Sequence, residues 1–425
     1  MHQKVSFRRF FLLVLLLLAI PVVHAQDWTR RHQFAKTYFG LSTFVAPNWS
    51  DGPFLNPDGQ VQSYGRSGFG SPSINIGATH FWGYADFYIS INTVGIKFQE
   101  DEIKNSIRLG TFTGCRVYPF PSKIGTVRPY LGYKFSPFRF KQYDLEEASF
   151  SHTSVQSVLD VGLALQLPSF YLTLEYSRVL NPSFTNYLSR TISRTDQFPN
   201  QLIQLGINYT LETTAFSNAP GNKAAYKYFS ATNRYGLFFA AGPSSAFPTA
   251  NSEYLQEHLP FLDDRAFPSL FADVAAGYHF SKLDLITAAS FRAMAQKRSA
   301  FDYEQAISRK SVVLECYKFL GDYHGFVPYL GLGLSYERLK LSETDRGMPV
   351  ASLAENTLSP ALVFGWDIRP SVQGDWWILR TNLRYFPFLG IDRDGQQVSL
   401  QYVEFNFIQF VVYPQRLGRI RKGNL

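Results

Sequence analysis

Val127-Arg128-Pro129-Tyr130-Leu131-Gly132-Tyr133-Lys134-Phe135-Ser136 returns about 200 residues later as Phe326-Val327-Pro328-Tyr329-Leu330-Gly331-Leu332-Gly333-Leu334-Ser335. Upstream of it, Thr79-His80-Phe81 returns as Tyr278-His279-Phe280, and Cys115 as Cys316. This period is too long for a solenoid and has the length of a small domain. The chain therefore reads as one domain present twice.

Outward from this stretch, polarity alternates with period two, the pattern of strands with two unlike faces. In Phe170–Arg178, Leu172, Leu174 and Tyr176 oppose Thr173, Glu175 and Ser177. In the second half Trp377, Leu379, Leu383 and Tyr385 oppose Arg380, Asn382 and Arg384. Each half resolves into about eight such strands, most of them long enough to cross a bilayer at a tilt. The connections alternate as well. Trp82-Gly83-Tyr84, Pro168-Ser169 and Ser281-Lys282 are short, whereas Pro47–Gly70, Lys141–His152, Asn181–Pro199 and Pro243–Phe267 are long and polar. Phe98–Lys104, Ala295–Ile307, Leu341–Leu353 and Pro387–Gln397 also read as longer loops. Short turns at one end and long loops at the other describe a transmembrane barrel with periplasmic turns and extracellular loops. A strand in lipid must pair every backbone group, and closing the sheet removes its edges.

Aromatic residues gather where strands meet turns: Phe81, Trp82, Tyr84, Tyr118, Phe120, Tyr130, Phe280, Tyr317, Phe319, Tyr329, Trp376, Trp377 and Tyr413. They are expected to form interface girdles. Aromatics make up 16% of the chain and charged residues 17%, a composition that fits lipid contact. The formal net charge of +8 is spread along the chain and includes three positive charges in the first residues, so no nucleic-acid partner is expected. Residues 1–25 read as a cleaved secretory signal: Lys4, Arg8 and Arg9, an apolar run from Phe10 to Val23, then Val23-His24-Ala25 before Gln26.

The Pro328-Tyr329-Leu330-Gly331-Leu332-Gly333 strand resembles the fifth strand of small eight-stranded outer-membrane barrels. Gly277-Tyr278-His279-Phe280 before a tight turn is similar to their strand ends. These barrels form the OmpA-, OmpX- and OmpW-like superfamily, as found in Bacteroidetes-type bacteria. The resemblance covers nearly all of both halves and implies an antiparallel barrel in a Gram-negative outer membrane, with the lipid bilayer as its first partner. One departure stands out. Such chains usually end on an aromatic of the last strand, but here Tyr413 is followed by Pro414 and a basic tail with Arg416, Arg419, Arg421 and Lys422.

The expected fold class is thus all-β, a transmembrane antiparallel barrel protein of about sixteen strands as two homologous eight-strand units. The units span residues 26–211 and 234–414, joined by a linker over 212–233 and followed by the tail over 415–425. Each unit can close on itself, or all strands can form one sixteen-stranded barrel with a water channel. The linker, with Asn218-Ala219-Pro220-Gly221-Asn222, is long for a periplasmic turn and favours two tandem barrels. The inward faces also favour two. They mix glycine (Gly110, Gly114, Gly132, Gly206, Gly331, Gly333) with tyrosine and the opposite charges Arg108, Arg116, Glu175, Glu315, Glu337, Arg380 and Arg384, a set that can pack a salt-bridged core.

The function expected is a non-enzymatic structural or surface-interaction role through the extracellular loops, with periplasmic or extracellular proteins as conceivable partners. A porin or transport channel is the alternative for a single wide barrel. A lipid-modifying enzyme is the second alternative, on Ser149, Ser151 and His152 beside Asp144, Glu146 and Glu147. The second half has no counterpart to that cluster. His80 and His279 read as interfacial histidines, and Cys115 and Cys316 as unpaired, lipid-facing thiols, Cys115 sharing its face with Leu109 and Val117. Asp263-Asp264 and Asp392-Arg393-Asp394-Gly395 read as solvated turns, lacking the later bidentate glutamate of a calcium loop. Phosphate-binding, dinucleotide and zinc-ligand spacings do not appear, so neither cofactor nor metal is expected. The basic tail reads as a disordered periplasmic terminus.

Overall fold

The alternating segments become two closed sheets. The computed structural model describes residues 35–100, 103–143, 149–211, 235–262, 269–322, 325–369 and 376–421. The signal over 1–25, the linker over 212–233, the acidic residues Asp144, Glu146 and Glu147, and Asp263-Asp264 lie outside these.

The first unit runs β1 (Ala35–Ala46), β2 (Gly52–Leu55), β3 (Val61–Tyr64), β4 (Phe69–His80), β5 (Ala85–Asn92), β6 (Ile96–Glu100), β7 (Ile103–Leu109), β8 (Phe112–Val117), β9 (Val127–Tyr143), β10 (Ser149–Gln166), β11 (Phe170–Val179), β12 (Ser183–Tyr187), β13 (Ser193–Gln197) and β14 (Gln201–Leu211). Strands β1, β4, β5, β8, β9, β10, β11 and β14 pair in that order, and β14 pairs back with β1 (Thr37 opposite Leu211, Val45 opposite Ile203). The second unit runs β15 (Gly236–Pro248), helix α1 (Glu253–His258), β16 (Ser269–Phe280), β17 (Leu285–Ala300), β18 (Tyr303–Phe319), β19 (Phe326–Asp345), β20 (Met348–Ile368), β21 (Trp377–Phe386), β22 (Gly390–Arg393), β23 (Gln396–Ser399), β24 (Tyr402–Val412) and helix α2 (Pro414–Arg421). Its eight barrel strands close where β15 meets β24. Two separate eight-stranded barrels are therefore the architecture, and the single sixteen-stranded barrel is set aside.

The faces are inverted relative to a soluble barrel. On β14, Leu205 is 60% exposed while its neighbour Gln204 is 4% exposed. On β18, outward Val312, Leu314 and Cys316 are bracketed by exposed Lys310 and Lys318. On β19, outward Leu330, Leu332, Leu334 and Tyr336 give way to exposed Arg338 and Lys340. An apolar outer band that ends in cations is the surface a hydrocarbon layer requires, since Lys and Arg stems can reach to its polar edge. The pair of barrels is an integral membrane protein.

Inside, one device recurs in both barrels. Tyr130 opposes Gly162 across β9–β10, and Tyr329 opposes Gly365 across β19–β20. A Cβ on Gly365 would lie 2.4 Å from the Tyr329 hydroxyl, and one on Gly162 would lie 2.5 Å from that of Tyr130. Each ring therefore lies flat over a bare backbone. Tyr38 opposite Gly77 and Phe238 opposite Gly277 repeat the arrangement on the first two strands of each barrel. The quoted motif is thus the tyrosine half of a cross-strand lock.

The structure corrects several loop expectations. Phe98–Lys104, Ala295–Ile307 and Leu341–Leu353 are not long loops, because the strands continue beyond the apolar band. β17 and β18 join through Phe301 and Asp302 (φ 47° and 64°), and β19 and β20 through Arg346 and Gly347 (φ 50° and 78°). Two successive positive φ values are the tight hairpin turn whose twist suits antiparallel strands. Asp394-Gly395 (φ 54° and 82°) makes the same turn between β22 and β23, and Asp392 Oδ1 accepts the Gly395 N–H at 3.1 Å. The fourth strand of the first barrel breaks between Leu109 and Phe112, where the Gly110 N–H meets the Pro137 carbonyl at 2.7 Å. The break resets the alternation, so Leu109 is buried and does not share the outward face of Val117.

The C-terminal tail is not a disordered terminus over its described residues. Residues 414–421 form α2, and Arg416 is buried under the end of the second barrel where β15 begins and β24 ends. Its guanidinium stacks 3.4 Å from the Tyr413 ring centroid and hydrogen-bonds His279 Nδ1 at 2.7 Å. Proline at the first helical turn forfeits no hydrogen bond, which lets a helix begin directly after β24.

Candidate functional site

Of the expected interior charges, Arg116, Glu175, Glu315, Glu337, Arg380 and Arg384 are buried within the barrels. Arg108 is the exception, exposed on β7 just before the break that leads into β8. In the first barrel, Arg116 bridges Asp86 at 2.9 Å and Glu175 at 3.1 Å, and Lys134 reaches Asp160 at 3.1 Å and also Glu175. Tyr38 and Tyr171 donate to Asp86 at 2.7 and 3.2 Å, and Tyr130 to Glu175 at 3.0 Å. In the second barrel, Arg292 contacts Glu404 at 2.8 Å and Glu315 at 3.0 Å, and Arg384 meets Asp273 at 2.6 Å. Arg309 pairs with Glu337 and with Glu404 at 2.8 Å, and Arg380 grips Asp367 at 2.7 and 3.0 Å. Charges taken out of water are tolerated only when paired and hydrogen-bonded, and these networks supply both. Asp86, Asp160, Asp273, Arg292, Arg309, Asp367 and Glu404 were missed in sequence, though each sits at the inward parity of its strand.

The girdle expectation divides. Phe280 and Tyr84 are exposed, and Phe81, Trp82, Trp376 and Trp377 are half-buried at the turn end. Phe120 is exposed, but Phe319 is buried. Tyr118, Tyr130, Tyr317, Tyr329 and Tyr413 are also buried, lining the barrel interiors. Their hydroxyls find partners there, Tyr130 on Glu175 and Tyr317 on Arg380, which the lipid side cannot offer. His80 and His279 are buried rather than interfacial. Cys115 and Cys316 are free, on separate barrels.

The barrels touch side by side. Near the turns, Phe81 and Phe326 ring centroids are 5.3 Å apart, and Phe87 and Trp366 are 5.9 Å apart. At mid-height, Phe135 packs edge-on against Phe247 at 5.6 Å and Phe405 at 6.0 Å. At the opposite end, Arg190 clasps Asp345 through two hydrogen bonds of 2.6 and 3.1 Å and donates to the Phe301 carbonyl at 3.1 Å. Phe301 in turn donates its N–H to Ser149 O at 3.2 Å. The hydrogen bond from Arg190 holds the Asp345 carboxyl below the usual carboxylate range.

Above this contact lies a cleft of about 380 Å³ shared by both units. The first barrel contributes Phe150, His152 and Ser154 of β10 with Ser183, Phe184, Thr185 and Tyr187 of β12. The second contributes Asn251, Leu255 and Gln256 at α1, then Pro260 and Leu262. Alternation on β12 buries Phe184 and leaves Ser183 and Thr185 exposed. The His152 ring lies parallel to Phe184 at 4.8 Å and 4°, with Phe150 at 6.4 Å and 12°. Ser252 caps α1, and Leu255 and Leu262 turn into the core. Burial pushes the Tyr187 hydroxyl above its ordinary range. Beside the cleft, the β2–β3 and β12–β13 hairpins are tied by Arg66, which grips Asp196 through two bonds of 2.7 Å and stacks 4.3 Å from the Trp49 centroid. Of the Ser149, Ser151 and His152 cluster, only His152 lines the cleft. Ser151 is nearly buried and accepts from Arg139 at 3.0 Å.

No family model matches the chain, and no curated protein does. Among solved structures it is similar to Neisserial surface protein A (15% identity over 43% of this chain and 97% of that one, TM-score 0.29). It is also similar to Ail, the attachment invasion locus protein of Yersinia pestis, solved with a heparin analogue (13% identity, 42% and 97% covered, TM-score 0.27). Outer-membrane OmpT of Vibrio cholerae matches over 89% of this chain and 98% of its own at 8% identity and TM-score 0.18. The fold rests on the strand closures and outer faces above, not on these likenesses.

Proposed function

We propose that this chain is a Gram-negative outer-membrane protein with a non-enzymatic surface-binding role, its two barrels forming a rigid platform for the extracellular end. The observation that carries this reading is the pair of buried ion-pair networks, which fill the cross-section of each barrel with linked side chains. Barrels of eight strands have room for side chains but not for a water channel. The channel alternative depended on a single wide barrel. The parallel between Tyr130 over Gly162 and Tyr329 over Gly365 supports an origin by duplication of one small OmpA-, OmpX- and OmpW-like barrel. Flat packing of His152 on Phe184 supports a binding role for that histidine over a catalytic one. Planar-bilayer recording of the purified full chain tests the platform reading. The expected result is no stable conductance step, and reproducible porin-like steps would sink it.

A further inference from the structure

We infer that the open edge of β20 takes an extended polypeptide segment, acidic at alternate positions, as an added strand. The assignment rests on the surface-binding reading and gives it a partner class.

β20 has a strand on both sides over only a third of its length. It pairs with β19 from Met348 to Ile368, but with β21 only from Leu362 to Ile368. Beyond Leu362 its other edge meets no backbone partner among the described residues. Ser352, Ala354 and Asn356 are exposed on the outer face, and Leu353, Glu355 and Thr357 on the inner face are only half-buried. One strand further in, Leu339, Leu341 and Glu343 of β19 are fully buried, so the exposure belongs to the edge. The first barrel has the matching edge covered. There β10 also outruns β11, whose pairing begins at Val158. The Leu180 N–H bonds the Ser157 carbonyl at 2.9 Å, the Phe301 N–H bonds that of Ser149, and Phe184 of β12 lies over His152.

A row of unmet N–H and C=O groups invites a further strand, and long edges are usually blunted by lysine, proline or a cover. The ten residues between Pro349 and Pro360 include no proline, lysine or arginine. A strand added here is held by main-chain hydrogen bonds, and side chains set its selectivity. The selectivity is for acid. On the outer face of β19, Arg338 stands opposite Asn356 and Lys340 opposite Ala354, and Lys310 of β18 stands opposite Arg338. All three cations are exposed, and none forms an ion pair with a described residue. Strands lie about 4.8 Å apart, so an added strand runs roughly 10 Å from β19. A long cationic side chain crosses most of that distance over the methyl of Ala354, and an acidic side chain closes the rest. A second copy of this chain fits less well. Its β20 edge carries no acid on the outer face, and two copies in one membrane raise β20 in the same sense, so these edges cannot run antiparallel.

The full chain, folded in nanodiscs of zwitterionic or of anionic lipid, is titrated with labelled ten-residue peptides and followed by fluorescence anisotropy. One peptide alternates valine with glutamate, a second valine with lysine, and a third is the acidic peptide N-methylated throughout. The R338E/K340E variant changes two exposed side chains, and heat-modifiable gel mobility reports whether it keeps its barrels. The acidic peptide is expected to bind the wild type in both lipids, and the lysine peptide about tenfold more weakly. The N-methylated peptide should not bind, and R338E/K340E should reverse the charge preference. Equal binding of the acidic and lysine peptides, binding that survives N-methylation, or an unreversed preference in the folded variant would each overturn the inference. So would loss of acidic binding in anionic lipid, which would assign the cations to headgroups, or no peptide binding because copies of the chain pair with one another. If the variant does not fold, the three peptides on the wild type decide alone. None of these results produces conductance, so failure here leaves the platform reading standing, and porin-like steps would remove that reading whatever the peptides do.

Discussion

At the scale of single residues, the informative side chains are those whose direction the alternation leaves ambiguous. Tyr130 and Tyr329 sit near strand ends, where an aromatic residue suits the bilayer interface equally well. The residue that decides is their cross-strand partner, because only a glycine leaves room for the ring to lie inward over the backbone. The pairings of Tyr130 with Gly162 and of Tyr329 with Gly365 need strand register, which no single segment reveals. Gly365→Val would drive a side chain into the Tyr329 ring and against the Thr381 carbonyl, 2.3 Å from a built Cβ. The expected cost is about 1–3 kcal/mol, as for other overpacked cores, measured by denaturant unfolding in detergent or lipid. Gly347→Val is a control for loss of glycine itself, since nothing lies within 4 Å there but the φ of +78° resists a side chain. Unaltered stability of the Gly365 variant would mean that the ring does not rest on that backbone. The interior charges were more legible. Their parity opposed an apolar face on the same strand, and Arg108 misled because the break at Gly110 shifts the phase beyond it.

Among elements, strands were readable and the caps were not. Period two survives any tertiary arrangement, so segments near 170–180 and 200–211 appear as Phe170–Val179 and Gln201–Leu211. The hairpins β2–β3, β12–β13 and β22–β23 and helix α1 are too short to show a period, and Phe184, Leu255, Ile391 and Val398 among them are buried in the core. Helix α2 was hidden by its charge. A run with Arg416, Arg419 and Arg421 reads as solvent-facing until Arg416 is seen buried between Tyr413 and His279. Arg419 adds a hydrogen bond to the Tyr235 carbonyl at 3.0 Å and lies 4.6 Å from that ring centroid. Arg416→Ala is therefore expected to free α2 while the barrel stays closed. Limited trypsin digestion should cleave the variant after Arg419 and Arg421 several-fold faster than wild type, with heat-modifiable mobility unchanged. Equal cleavage rates would mean that the helix is held by something other than Arg416.

For the whole molecule, the linker and the inward faces argued for two barrels, and the closures of β1 on β14 and β15 on β24 establish them. Their side-by-side contact was not legible, because the rings that make it, Phe135, Phe247 and Phe405, are the same kind that faces lipid elsewhere. The polar part of that contact carries a pH dependence. Arg190 holds Asp345 below its ordinary range, so the contribution of the clasp is complete above the free aspartate value of about 4 and is lost as pH falls through the lowered value. Spin-label distances between the two barrels at the Arg190–Asp345 end should stay constant from neutral pH to about 5 and broaden below about 4. Asp345→Asn should broaden them at neutral pH, and a distribution indifferent to both would show that the clasp does not set the arrangement. The alternation that builds the walls also acts before any wall exists. On strands such as β14 apolar side chains alternate with polar ones, and mean hydropathy over the whole chain is −0.12. An unfolded strand of this kind gives a membrane-insertion channel a far weaker stop signal than a spanning helix does. A bilayer thus becomes the chain's proper surroundings only once the strands have closed, and that outcome is encoded in the order of its residues as much as in their hydrophobicity.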